Sequence, residues 1–183
     1  MLEFDYEKML TEFGDTLEKL SEDTSKKTQE ESVYLTASKE RVVDFDRFTH
    51  SIIEELNPHN RPKSCDALLK LNRNEYYFIE FKNGRIKEIE AYEIREKFLV
   101  STMLFLEQIN QTICYSRANC YFILVCNTNI ANRGKKQEGK ENIRNSLIKL
   151  INLRKYEDIF IKRAFVYTVG EFDEKFIRKY GFR

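Results

Sequence analysis

The chain has 183 residues, of which 42% are hydrophobic and 33% charged, with a formal net charge of +1. That length suits one domain with an appendage rather than two full domains, and 14 Phe with 10 Tyr, free of low-complexity tracts, exclude a disordered chain. No run approaches the roughly eighteen apolar residues that a membrane crossing needs, and the N-terminus is acidic where a signal peptide begins basic, so a cytoplasmic protein is expected.

In chain order, Tyr6, Met9, Leu10, Phe13, Leu17 and Leu20 recur at three- and four-residue spacing, which predicts an amphipathic helix over residues 3–20. A polar stretch from Ser21 to Glu31 reads as a linker, so residues 1–32 form a helix-and-linker segment ahead of a domain at 33–183. The helix docks either on its own core or on a second copy in a homodimer. Val42, Phe45, Phe48, Ile52 and Leu56 predict a second helix from the cap candidate Ser38 to Leu56, ended by Asn57-Pro58.

Two strand-like runs follow, Cys65 to Leu71 and Glu75 to Lys82, joined by the turn Asn72-Arg73-Asn74. A long helical pattern covers Ile86 to Gln108, and the apolar run Cys120 to Cys126 reads as a strand buried on both faces. A helix around Glu138 to Leu153, a strand from Arg163 to Val169 and a short helix from Glu171 to Lys179 complete the pattern. The order predicts an α/β fold, a mixed sheet flanked by helices with a hairpin entering it.

Four cysteines, Cys65, Cys114, Cys120 and Cys126, show no CxxC pairing and read as reduced residues packed in apolar segments. His50 and His59 have no His or Cys partner at zinc-ligand spacing, which argues against structural zinc and a His-based triad. Charge is asymmetric: residues 1–64 hold 9 Lys/Arg against 15 Asp/Glu, and residues 132–183 hold 14 against 7. The basic end suits a phosphate-facing surface as well as it suits simple solvation.

Alternation along Phe78-Ile79-Glu80-Phe81-Lys82 puts Glu80 and Lys82 on one face of a strand. If residues 72–74 form a three-residue turn, Leu71 faces Glu75, and the same register sets Asp66 opposite Glu80. Two facing carboxylates repel unless a cation sits between them. Asp66, Glu80 and the backbone carbonyl of Phe81 would hold Mg²⁺ or Mn²⁺ through oxygen, while Lys82 would orient water and offset charge in a phosphoryl transition state.

At Asp66 and Glu80-Phe81-Lys82 the sequence resembles the PD-(D/E)XK nuclease superfamily, whose signature is an acidic residue on one strand and a [D/E]-x-K triplet on the next. Cys65 stands where the family often has proline. The resemblance implies a restriction-endonuclease-like fold and magnesium-dependent cleavage of DNA, or of RNA. The family often adds a glutamate from the first core helix, and Glu55, at the edge of the apolar stripe, is the better local candidate than Glu54. Lys97 and Ser101, four apart on the long helix, are able to face such a site, although a solvated Lys97 is the plainer expectation. Lys135, Lys136, Lys140 and Arg144 are candidate phosphate contacts. The competing reading is a nuclease-fold binding protein, an immunity or regulatory partner that keeps the motif without useful catalysis.

Overall fold

The computed structural model describes residues 5–22, 33–56, 59, 62–72, 74–83, 88–127, 145 and 151–182; the side chains of residues 55–56 and 88–90 are not among them. Helix α1 (Tyr6–Phe13) opens at Asp5, whose carboxylate accepts from the amides of Glu7 and Lys8 and so satisfies two of the donors that a helix start leaves orphaned. Tyr6, Met9, Leu10 and Phe13 pack into the core of the same chain. Of the two docking choices open to this helix, its apolar face takes the core of its own chain.

The helix predicted over 3–20 breaks at Gly14. Strand β1 (Gly14–Thr16) follows it, and a single turn, α2 (Leu17–Leu20), is capped by the Thr16 hydroxyl. A Cβ on Gly14 would lie 2.0 Å from the carbonyl oxygen of Leu10 and 2.7 Å from the Arg41 guanidinium, so only glycine lets the chain turn this closely into the sheet. Gly14→Ala is expected to destabilise the fold by about 1–3 kcal/mol, the range for forced overpacking, and to lower the urea midpoint; an unchanged midpoint would show that the backbone yields freely.

A second departure concerns the helix predicted from Ser38. Residues Arg41–Asp44 form strand β2, and helix α3 (Phe45–Leu56) begins only after Asp44, whose carboxylate accepts from the amide of Arg47 at 2.9 Å. Val42 and Val43 are fully buried in different clusters, on opposite faces of the sheet. Two adjacent β-branched residues buried on both sides favour a strand over a helix turn.

Strands β3 (Ala67–Lys70) and β4 (Tyr76–Asn83) form the expected hairpin, and helices α4 (Glu88–Gln108) and α5 (Ile113–Asn119) carry the chain to β5 (Cys120–Asn127). A 3₁₀ turn at Leu153–Tyr156 precedes β6 (Arg163–Thr168), and helix α6 (Val169–Phe172) runs into a π turn at Asp173–Ile177. Of the helix predicted over 138–153, only residues 145 and 151–153 lie within the described residues. The six strands lie in sequence order in one sheet, antiparallel from β1 to β4 and parallel from β4 to β6. Helices α4 and α5 supply the crossover that a parallel β4–β5 pair requires. The result is a mixed α/β sheet with two more strands than the sequence pattern suggested.

Each face of the sheet carries its own core. Val43, Leu68, Phe78, Phe122 and Leu124 pack with α1, α3 and α4, whereas Val42, Leu69, Ile79, Phe81 and Val125 pack with Leu17, Phe172 and Phe176. Tyr6 adds a polar tie, its hydroxyl donating to the carbonyl of Leu68 and accepting from the amide of Lys70, both at 3.2 Å. Cys65, Cys120 and Cys126 are buried free thiols; Cys114, expected inside, is exposed on α5. Among the described residues no helix is long and apolar enough to cross a membrane.

Candidate active site

The hairpin register is the one the sequence predicts. Ala67 faces Ile79, Leu68 faces Phe78, Leu69 faces Tyr77 and Lys70 faces Tyr76, and the amide of Leu71 donates to the carbonyl of Glu75 at 2.9 Å to close the turn. Continued by one residue, this register sets Asp66 opposite Glu80. Since the closing bond joins an odd-numbered pair, even-numbered pairs occupy the non-hydrogen-bonded positions, where facing side chains approach most closely.

Asp66 sits at the bend before β3. Its backbone carbonyl accepts from the amide of Phe45 at the start of α3, and its Oδ2 accepts from the amide of Phe81 at 2.7 Å. In an extended strand the carbonyl of Phe81 leaves on the same edge as that amide. Glu80 points with Tyr76 and Phe78 toward α4 and is fully buried. Lys82, on the same face and partly exposed, places its Nζ 3.2 Å from Glu80 Oε1.

One site residue departs from its plainer expectation. Lys97, expected on a solvated face, is only 12% exposed and drives its ammonium between the two carboxylates: Nζ lies 2.8 and 2.9 Å from the two oxygens of Glu80 and 3.4 Å from Asp66 Oδ1. The signal was present in the helical period. Ile94, Phe98 and Phe105 form the buried stripe of α4, and Lys97 and Ser101 fall inside it at three- and four-residue steps. Ser101 accepts the amide of Cys65 at 2.8 Å, and the Ser64 hydroxyl reaches both Thr49 (2.6 Å) and the Asp46 carboxylate (2.8 Å) on α3. Two helices thus brace the three residues that end at Asp66.

Burial sets the protonation of this cluster. It pushes the Glu80 carboxyl up to about 7, reinforced by the charge of Asp66 and opposed by Lys97 and Lys82. Burial likewise raises Asp66, against the pull of Lys97 and the bond from the Phe81 amide. For Lys97 burial works toward losing the proton, but Asp66 and Glu80 outweigh it and hold the amine charged. The Cys126 thiol beside Glu80 is raised to about 12 and stays neutral.

No family model matches the chain, and no curated protein or solved structure matches it significantly. Two carboxylates and a neighbouring backbone carbonyl are hard oxygen donors suited to Mg²⁺ or Mn²⁺, and the ammonium of Lys97 marks the point where a cation is held. Among the described residues no group of three His, Cys, Asp or Glu side chains stands together as a ready metal cage. Glu55 lies in α3, but its side chain is outside the described residues, as are Lys135, Lys136, Lys140 and Arg144. Glu54 is exposed.

Proposed function

We propose that the protein is a metal-dependent phosphodiester hydrolase with a restriction-endonuclease-like core, acting on DNA, with RNA as the second candidate substrate. The observation that carries this reading is the facing pair Asp66 and Glu80, drawn together on one cation-binding point with Lys82 at its more open edge. A bound Mg²⁺ or Mn²⁺ would neutralise both carboxylates and polarise a phosphate oxygen. Asp66, Glu80 and the Phe81 carbonyl would hold the ion, with Glu55 as a fourth ligand. Lys82 would donate a hydrogen bond that orients the attacking water and would offset negative charge as the new P–O bond forms and the bridging P–O bond breaks. Lys135, Lys136, Lys140 and Arg144 would bind backbone phosphates beside the site.

One observation favours a second reading, a nuclease-fold binding protein such as an immunity or regulatory partner. Lys97 already pairs with both carboxylates from within the chain, so the motif is able to persist as an internal ion cluster. The two readings part on one experiment: purified wild type, Asp66→Asn and Lys82→Ala are incubated with plasmid DNA, linear DNA and RNA in Mg²⁺ or Mn²⁺. An enzyme should lose activity on the order of 100-fold or more in each variant. Equal traces in all three would identify a contaminant and leave the binding protein.

A further inference from the structure

The ammonium of Lys97 and a divalent cation cannot share the site. Lys97 Nζ is within hydrogen-bonding distance of both Glu80 oxygens and lies 3.4 Å from Asp66 Oδ1. A bound Mg²⁺ would need the same oxygens at about 2.0–2.1 Å, and two cations held on one carboxylate pair repel strongly where solvent is largely excluded. With both carboxylates ionised, Asp66 and Glu80 against Lys82 and Lys97 balance to zero, so the resting cluster has no net attraction for a phosphodiester. Adding a divalent cation leaves that balance positive by two charges. Lys97 stands on a flexible four-carbon stem, and its charge is relieved once a phosphate arrives.

We propose, on the basis of the metal-dependent reading above, that Lys97 is a displaceable internal counter-ion: a divalent cation competes with its ammonium for Asp66 and Glu80, and the displaced ammonium becomes a ligand for the phosphodiester. Cation and phosphodiester then bind with positive coupling, because each removes the charge imbalance that the other creates. Each ligand alone binds the cluster weakly, and the two bind more tightly together.

The test follows the reactivity of each lysine toward an amine-acetylating reagent by mass spectrometry, in the wild-type chain with and without saturating Mn²⁺. Lys97 should be protected without metal and become several-fold more reactive with it, while Lys19, an exposed surface lysine, stays constant. A second arm measures Mn²⁺ affinity by calorimetry: Lys97→Met should bind about tenfold more tightly than the wild type, and Asp66→Asn combined with Lys97→Met should not bind. If Lys97→Met does not fold, the labelling alone decides. Mn²⁺ binding to the wild type with Lys97 still protected would overturn the counter-ion proposal and leave the metal site standing. Absence of Mn²⁺ binding in wild type and Lys97→Met alike would overturn both.

Discussion

Lys97→Met is expected to destabilise the metal-free protein by about 3–5 kcal/mol, the range for removing one partner of a buried ion pair and leaving the other uncompensated. The magnitude follows from what remains. Glu80 has no exposed surface, and its two carboxylate oxygens would lose their nearest cation, while the half-solvated Lys82 contacts only one of them. Lys82→Ala should accordingly cost no more than about 1 kcal/mol, since Lys82 is partly exposed and water screens its single contact with Glu80. Adding Glu80→Gln to Lys97→Met removes the orphaned charge and should recover a large part of the loss. Urea unfolding of the four proteins in EDTA provides the comparison. Equal costs for Lys97→Met and Lys82→Ala would mean that Lys97 does not hold the buried carboxylate.

What the sequence disclosed and what it concealed divide along a physical line. The hairpin was legible because period-2 alternation, a three-residue polar turn and facing parity are local properties, and together they set Asp66 opposite Glu80. The buried strand β5 was legible because seven consecutive apolar residues, Cys120–Cys126, leave no polar face. Strands β1 and β2 were concealed. Each is three or four residues long, and the helical periods of Phe13, Leu17 and Leu20 and of Val42, Phe45 and Phe48 run straight through them. Only the pairing of Gly14 with Val43 and of Val43 with Leu68, both distant in sequence, decides for strand.

Lys97 was concealed for a different reason. A lysine on an otherwise apolar helix stripe is ordinarily read as slipping off the edge into water, and sequence alone offers no account of a buried one without its partner. The partner pair sits seventeen and thirty-one residues earlier, on the hairpin, so the lysine's orientation depends on the register of strands that it does not belong to. The same dependence explains Ser101, whose hydroxyl accepts from the backbone amide of Cys65 just before β3. Residues that complete a site from a neighbouring element become visible only once the sheet has fixed where the site points.

The remaining expectation concerns pH. Burial lifts the Glu80 carboxyl from an ordinary 4.5 to about 7, and burial raises Asp66 in the same direction. A carboxyl raised in the folded state keeps a proton that the unfolded chain has already released, so its stabilising contribution is complete below about 4.5 and is lost as pH rises through about 7. At about 1.4 kcal/mol per pH unit, the Glu80 shift alone corresponds to a loss of up to about 3 kcal/mol across that window. The other groups facing Glu80 do not cancel this trend: Lys97 is held charged throughout, and Cys65 and Cys126 are raised and remain neutral thiols. Glu80→Gln removes the titrating proton while preserving an acceptor for Lys97, so its stability should vary less between pH 4.5 and 7 than that of the wild type. Urea midpoints measured in EDTA at half-unit intervals are expected to fall for the wild type relative to Glu80→Gln as pH rises. Parallel profiles would mean that Glu80 titrates at its ordinary value, and that the ammonium of Lys97 offsets the whole cost of burying its charge.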